Sequence, residues 1–303
     1  MGIVRRGEGR AMTRTELFLA ALRSGKILVA DGATGTMLQS MGLEWGQAPE
    51  AWLLEQPDKI RALHRAYVKA GSDVILTCSF GGTHYRLGRH GLAERVAEVN
   101  RLAAELAREV AGDSVFVAGD MGPTGQLLGL RSKDMPEQIA EAFAQQAKGL
   151  AEGGADFLVI ETMSDLGEAQ AAIAGARRVT DLPIFCTFSF DTHGRTMMGV
   201  KPEQAAQAVG PLVQGIGANC GHDPAEYEGL MQAMHQAQPE AILWAKPNAG
   251  LPRLVGEETV YDATPEYMAE IALRLRQAGA QVIGGCCGTT PAHIAAIAAV
   301  LKG

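Results

Sequence analysis

Three cysteines occupy two glycine-containing motifs that lie far apart in the sequence. Cys220 ends GANC (217–220), and the neighbours Cys286 and Cys287 lie inside GGCCGTTP (284–291). Thiolates are soft ligands that suit zinc, and three protein ligands leave the fourth tetrahedral position open, as in catalytic zinc sites. Three thiolates make the centre a poor activator of water, but it can hold an added thiol as thiolate. The chemistry that fits these residues is therefore alkylation of a thiol.

The adjacent cysteines need a particular backbone to act together. Neighbouring side chains of a regular strand point to opposite faces, so Cys286 and Cys287 can share one ion only where the backbone bends. Gly284, Gly285 and Gly288 surround the pair and permit such a bend. The sequence therefore predicts that the strand ends here in a turn.

The other candidate metal ligands are weaker. His222, two residues after Cys220, is a candidate for the fourth position, but a histidine in such a loop is more often a solvated turn residue. Cys78 and Cys186 lie in apolar runs. Because cysteine is among the most buried residue types, we expect both of them to fill the core.

Two carboxylates follow apolar runs and are candidates for binding a substrate. Glu161 comes directly after FLVI, where an unpaired carboxylate is costly to bury, so it needs a cation from the protein or an ammonium group from a ligand. Asp31 begins DGATGT and has the alternative of a turn or helix-capping residue. Two carboxylates beside the backbone amides of a glycine-rich turn suit the amino and carboxylate groups of an amino acid.

The elements that must position these residues repeat along the chain. Eight short apolar runs alternate with helical segments, for example at 60–71, 93–112, 137–154 and 263–280. The runs are almost continuously apolar, which is typical of strands covered on both faces of a parallel sheet. They lie at 26–32, 73–79, 115–120, 156–162, 183–190, 215–220, 242–248 and 281–287.

This pattern predicts an α/β protein that forms a single (β/α)₈ TIM barrel, with a doubly wound open sheet as the alternative. Active sites of such barrels lie where the carboxyl ends of the strands meet the following loops. The candidate residues all fall at those ends. The residues that end the predicted strands are Asp31, Thr77, Cys78, Asp120, Glu161, Ser189, Cys220, Asn248, Cys286 and Cys287.

The overall composition excludes several classes of protein. The 303 residues include 27 Lys and Arg against 34 Asp and Glu, a formal charge of −7, without a Lys- or Arg-rich run. Nucleic-acid binding needs a basic surface, so nucleic acid is not an expected partner. No apolar stretch is long enough to span a membrane and the N-terminus lacks a secretion signal, so we expect a cytoplasmic protein without a membrane partner. An odd number of cysteines in that compartment argues against structural disulfides.

The domain organisation is expected to be simple. Residues 1–25 are predicted to form an N-terminal extension with a helix, and Met12 is an alternative start. Residues 26–303 are predicted to form one domain, because no linker or change in composition divides them.

Several motifs together resemble a known family. The motifs are DGATGT (31–36), GPTG (122–125), ET (161–162), GANC (217–220), KPNAGLP (246–252) and GGCCGTTPAHI (284–294). The chain resembles the zinc-dependent homocysteine S-methyltransferases from about residue 26 to residue 301. The resemblance implies a homocysteine-binding (β/α)₈ barrel at 26–303 whose zinc ligands are Cys220, Cys286 and Cys287.

The resemblance also implies roles for the substrate-binding residues. Asp31 and Glu161 would hold the amino group of homocysteine, with the amide of Gly32 nearby, and Asn248 would help to orient the ligand. The expected reaction is transfer of a methyl group to the zinc-bound thiolate of homocysteine, which forms methionine.

The methyl donor and two alternative functions stay open. The motifs look most like the homocysteine barrel of cobalamin-dependent methionine synthase. The candidate donors are a corrinoid on a separate protein, or a small molecule such as S-methylmethionine or betaine. One alternative is a non-catalytic zinc- or thiol-binding module that acts with a corrinoid protein. The other is a methyltransferase that acts on a different thiol.

Overall fold

The computed structural model describes residues 11–126, 135–191, 193–221, 223–256 and 258–303. Within these ranges, eight parallel strands form a barrel. The strands are β1 (Leu28–Val29), β2 (Val74–Leu76), β3 (Phe116–Met121), β4 (Phe157–Met163), β5 (Ile184–Phe188), β6 (Gly215–Asn219), β7 (Ile242–Lys246) and β10 (Ala280–Ile283).

The order of the strands confirms the predicted barrel. Around the sheet they follow one another as β1, β10, β7, β6, β5, β4, β3 and β2, and a parallel bridge between Ala30 and Val74 joins the two ends. An open doubly wound sheet would leave those two edges unpaired. All eight predicted strands coincide with observed ones, so the fold expected from the sequence is correct.

The described residues also form twelve α-helices. They are α1 (Arg14–Arg23), α2 (Gly35–Ser40), α3 (Trp52–Glu55), α4 (Pro57–Lys69), α5 (His84–Leu87), α6 (Val96–Ala111), α7 (Met135–Glu152), α8 (Leu166–Arg177), α9 (Pro202–Val209), α10 (Tyr227–Ala237), α11 (Pro265–Gln277) and α12 (Pro291–Lys302). The four helices predicted by periodicity are α4, α6, α7 and α11. Local sequence sets several of their starts: Thr264, for example, caps α11 through the amide of Tyr267, and Pro265 takes the first helical position.

An antiparallel hairpin interrupts the regular alternation. Its strands, β8 (Arg253–Val255) and β9 (Glu258–Val260), lie between β7 and α11 and were not predicted. The hairpin belongs to a loop at the carboxyl end of β7, on the face where the active site of a barrel is expected.

Helix α1 closes the opposite end of the barrel. The ring of Phe18 stacks on that of Phe157 at a centroid distance of 3.9 Å and meets Phe116 and Phe185 edge-on. These three partners lie at the amino ends of their strands, so α1 fills the amino-terminal mouth with apolar side chains. A ligand must therefore enter from the other end.

Among the described residues, no helix is both long and apolar enough to cross a bilayer.

Candidate active site

The three predicted zinc ligands lie together at the carboxyl end of the barrel. The Sγ atoms of Cys220 and Cys287 are 3.8 Å apart, and all three Sγ atoms, with that of Cys286, lie within 4.8 Å of one another. A tetrahedral zinc ion with Zn–S bonds of about 2.3 Å requires sulfur atoms about 3.8 Å apart. The donor set therefore fits zinc in its chemistry, and the distance between Cys220 and Cys287 matches the spacing that zinc requires. His222, the candidate fourth ligand, lies outside the described residues.

The end of β7 holds both cysteine-bearing turns in place. Strand β7 lies between β6, which leads to Cys220, and β10, which leads to Cys286. Residues 246–249 form four hydrogen bonds across this junction. These bonds join the Cys220 amide to Lys246 O (3.1 Å), the Cys286 amide to Pro247 O (2.8 Å), Asn248 Nδ2 to Gly221 O (3.2 Å) and the Ala249 amide to Cys287 O (2.9 Å).

The backbone at both cysteine turns departs from regular strand geometry. Cys220 has φ +57°, a left-handed conformation that costs a non-glycine residue roughly 1–3 kcal/mol unless its surroundings hold it. The hydroxyl of Tyr227 donates to its carbonyl and helps to do so. Strand β10 ends at Ile283, and Gly288 has φ +77°. The predicted bend next to the cysteine pair is therefore present.

Without a metal, the cysteines would remain protonated thiols. A hydrogen bond with Cys220 and burial hold the pKa of Cys286 well above the usual thiol value. The hydrogen bond that Cys287 shares with Cys220 lowers its pKa, but the bond with Cys286, charge repulsion and burial outweigh it and raise the value to about 12. A divalent cation is the kind of partner that would stabilise three neighbouring thiolates.

Two further residues contact this cluster. Asn219 is fully buried, and its amide nitrogen lies 4.0 Å from Cys286 Sγ. Its side chain also bonds the amide and hydroxyl of Thr162 and the hydroxyl of Thr187, at 2.6–2.8 Å. Tyr261, which follows the hairpin, hydrogen-bonds Cys287. The sequence analysis missed both, although a buried asparagine that must satisfy its amide was a usable signal for Asn219.

A cavity of about 490 Å³ opens beside the cysteines. All three cysteines line it, as do Gly32 and Glu161 among the predicted substrate residues. Asp31 and Asn248 are not among the described residues that line it. Asn248 instead supports the turn after Cys220, as described above.

Asp31 is paired with a lysine that the sequence analysis missed. Its Oδ1 accepts from Lys246 Nζ at 2.8 Å, and its Oδ2 accepts from the amide of Leu76 at 2.8 Å. Burial tends to lower the pKa of Lys246, but the charges of Asp31 and Glu161 outweigh it and raise that pKa. Lys246 is thus a buried cation in the wall of the cavity. Asp31 does not cap helix α2, whose N-cap is Thr34.

Glu161 lies in the cavity wall with one oxygen free. Its Oε2 is buried and has no hydrogen-bond partner among the described residues. Burial raises the pKa of Glu161, and Lys246 partly offsets this effect. The predicted need for a compensating cation is therefore met only in part by the described protein groups.

Gly32 has no space for a side chain. A Cβ atom there would lie 2.7 Å from Cε1 of Tyr67 and 2.8 Å from Oγ1 of Thr289. The hydroxyl of Tyr67 donates to the carbonyl of Ala33 at 2.7 Å, so the ring cannot move away freely. Because Gly32 has no side chain, its turn can pack against the ring of Tyr67 and still line the cavity.

Comparison with known proteins identifies the family. A sequence model described as homocysteine S-methyltransferase matches residues 28–301. The chain belongs to the homocysteine S-methyltransferase family. This assignment agrees with the resemblance drawn from the motifs and with the arrangement of the three cysteines.

Several relatives and solved structures are similar to this family member. The methionine synthases of Mycobacterium tuberculosis and Mycobacterium leprae are both 33% identical over 299 residues, which cover 92% and 91% of this chain. The chain spans only about a quarter of their length, 25% and 24%. The metallated form of the homocysteine methyltransferase MmuM from Escherichia coli is 25% identical, with a TM-score of 0.77 over 92% of this chain and 98% of that one. A methyltransferase from Methanosarcina mazei, 13% identical with a TM-score of 0.62, shares the fold.

Proposed function

We propose that this member of the family transfers a methyl group to the sulfur of homocysteine and so forms methionine. The observation that carries the proposal is the convergence of Cys220, Cys286 and Cys287 beside a cavity that also contains Glu161. The metallated form of a similar homocysteine methyltransferase supports a metal here, and the three sulfur donors favour zinc.

A bound zinc ion would keep the substrate thiol ionised at the open position beside the three cysteines. A free thiol with a pKa of about 8.5 is roughly 3% ionised at pH 7, so complete ionisation yields about 30-fold, near 2 kcal/mol. Positioning by the protein must supply much of the remaining acceleration, and effective molarities of about 10⁵ M or more are possible for well-oriented groups.

The residues around the cavity would provide that positioning. Glu161 binds the amino group of homocysteine, and the backbone amide of Gly32 lies next to the same ligand. Asp31, which was also expected to hold the amino group, already accepts hydrogen bonds from Lys246 and from the amide of Leu76, so its proposed role is to hold that lysine in the cavity wall. Asn248 acts on the ligand through the turn that carries Cys220.

The transfer itself is a direct displacement. The substrate sulfur forms a bond to the methyl carbon while the bond from that carbon to the donor breaks. The electron pair of the broken bond stays with the donor. Homocysteine and a methyl donor are therefore the expected small-molecule partners. A corrinoid on a separate protein, S-methylmethionine and betaine remain the candidate donors, and a cytoplasmic location remains a prediction.

Two measurements test the proposal. Zinc content should be close to one per chain in the wild type and should fall in Cys286→Ala and in Cys287→Ala. Stoichiometric zinc retained in both variants would refute the ligand set. Incubation of the zinc-loaded protein with homocysteine and, in turn, methylcobalamin, S-methylmethionine and betaine should give methionine with at least one donor.

The same panel tests the first alternative function, and the thiol selectivity of the protein tests the second. A binding module would give no methionine with any donor. A methyltransferase for another thiol would methylate other thiols as well as homocysteine, and Glu161→Ala would leave its thiol selectivity unchanged.

A further inference from the structure

The cavity wall contains a carboxylate to which the family resemblance gave no role. Asp120, near the end of β3, lines the cavity together with Glu161 and is 4% exposed. We propose that Asp120 binds the amino group of the thiol substrate and shares it with Glu161. This inference rests on the proposed function and adds a specificity-determining residue to it.

The strand geometry places the two carboxylates on the same face. Asp120 follows Ala118 by two residues on β3, and Glu161 follows Val159 by two residues on β4; Ala118 and Val159 both belong to the apolar cluster inside the barrel. Side chains two apart on a strand share a face. Strands β3 and β4 are neighbours, with Asp120 opposite Val159. Both carboxylates therefore point into the barrel above its apolar interior.

The other two acidic side chains near the cavity already have protein partners. Asp31 bonds Lys246 and a backbone amide, as described above. Glu50 accepts from the amide of Gly81 at 2.6 Å, and the cation of Arg86 faces it. Neither carboxylate needs a ligand to compensate its charge.

Asp120 and Glu161 differ from this pair. Asp120 Oδ1 and Glu161 Oε2 are both buried and have no hydrogen-bond partner among the described residues. Burial and the neighbouring charge of Glu161 raise the pKa of Asp120 well above the usual range. Lys246 attracts both groups, but its bonded partner is Asp31. Among the described residues, no cation donates a hydrogen bond to either of these two oxygens.

The ammonium group of an amino acid has the missing properties. It carries one positive charge and three N–H donors, so it can bond both free oxygens at once. An anionic or apolar group would leave both buried oxygens without a hydrogen-bond donor. Asp31 then acts as a positioning residue that holds Lys246, whereas Asp120 and Glu161 contact the substrate.

Isothermal titration calorimetry on zinc-loaded protein tests this assignment. The two ligands are L-homocysteine and 4-mercaptobutanoate, which is the same molecule without its amino group. In Asp120→Asn we expect the affinity for homocysteine to fall about tenfold or more, as for loss of a charge-assisted hydrogen bond. The affinity for 4-mercaptobutanoate should change less than about threefold, because that ligand has no amino group to lose.

Matched variants separate binding from a general structural effect. Glu50→Gln removes a cavity carboxylate that already has a partner and should leave the preference for homocysteine over 4-mercaptobutanoate unchanged. Asp120→Glu keeps the charge and should retain most of that preference. Zinc content and the far-ultraviolet circular dichroism spectrum identify any variant that has not folded, and Asp120→Ser then provides a second removal of the carboxylate.

The outcomes distinguish this inference from the proposed function. If Asp120→Asn weakens both thiols by the same factor, or keeps the wild-type preference, Asp120 does not bind the amino group and the inference fails alone. If the wild type binds neither thiol, the proposed function fails and the inference fails with it. A preference that collapses in Asp120→Asn but not in Glu50→Gln supports the assignment.

Discussion

Lys246→Met should destabilise the protein more than Asp31→Asn, although both variants break the same ion pair. The side chains of Lys246 and Asp31 are only 4% and 2% exposed, and their charged atoms lie 2.8 Å apart. Lys246 also attracts Glu161 and Asp120, so its loss leaves three buried carboxylates without a cation. Loss of Asp31 leaves a lysine that still faces two of them.

The expected magnitudes follow from this asymmetry. Removing one partner of a buried pair costs about 3–5 kcal/mol, which we expect for Lys246→Met. For Asp31→Asn we expect about 1–3 kcal/mol, as for a lost buried hydrogen bond. At about 1.6 °C per kcal/mol for a chain of 303 residues, the melting temperature of Lys246→Met should fall by roughly 5–8 °C. The double variant should lose less than the sum of the two single losses, because they share one interaction.

The pH dependence gives a second check. Without Lys246, the pKa values of the remaining carboxyls in the folded protein rise further above their values in the unfolded chain. As the pH rises above about 4, the unfolded chain gives up these protons first, so stability falls with increasing pH. Urea unfolding should therefore show a larger loss for Lys246→Met at pH 8 than at pH 5.5. Equal losses at both pH values, or an Asp31→Asn variant as unstable as Lys246→Met, would refute the reasoning.

Three further variants test individual features. Gly32→Ala should lower the free energy of unfolding in urea by about 1–3 kcal/mol and raise the KM for homocysteine, because the added methyl group would lie 2.7 Å from Tyr67. A urea midpoint equal to that of the wild type would show that the ring of Tyr67 can move. Asn248→Ala should weaken zinc binding by about tenfold in competition with a chromogenic chelator, since it frees the turn after Cys220, and unchanged affinity would contradict that supporting role. Burial lowers the pKa of His64 to about 4, so the unfolded chain takes up its proton first as the pH falls below about 6.5. The free energy of unfolding should therefore fall by about 3 kcal/mol through His64 as the pH is lowered from 6.5 to 4. In His64→Leu this part of the loss should disappear. If His64→Leu keeps the wild-type dependence of stability on pH, His64 is not its cause.

The sequence was sufficient to predict the barrel and the cysteine cluster for a shared physical reason. Strands buried on both faces are continuously apolar, so their ends are visible in the sequence, and parallel strands bring those ends to one rim. Cys220 directly follows the end of β6, and the pair Cys286 and Cys287 lies just beyond the end of β10. Their convergence required only that neighbouring turns bend inward, which the surrounding glycines allowed.

The residues that the sequence analysis missed depend on information that the pattern does not contain. Lys246 ends an apolar run, and whether it faces the barrel interior or the helices depends on the facing of Trp244, which periodicity alone does not fix. Helix α1 was predicted only as part of an extension, since nothing in its local sequence reveals that Phe18 fills the barrel. Asp120 was placed at the rim but could not be separated from Asp31, because only the structure shows which carboxylate already has a partner.

The arrangement of charge around the rim has a consequence for how a substrate can bind. The sulfur donors follow β6 and β10, on either side of β7, whereas the carboxylates with free oxygens lie on β3 and β4. Soft thiolates that hold a metal favour a thiol, and buried carboxylates favour an ammonium group, so the two ends of an amino thiol cannot exchange places. If both ends bind as proposed, the sulfur is fixed in one orientation before a donor arrives. The same reasoning predicts that homoserine, with oxygen in place of sulfur, keeps only the contacts of its amino group with the protein carboxylates. Homoserine should therefore bind far more weakly than homocysteine.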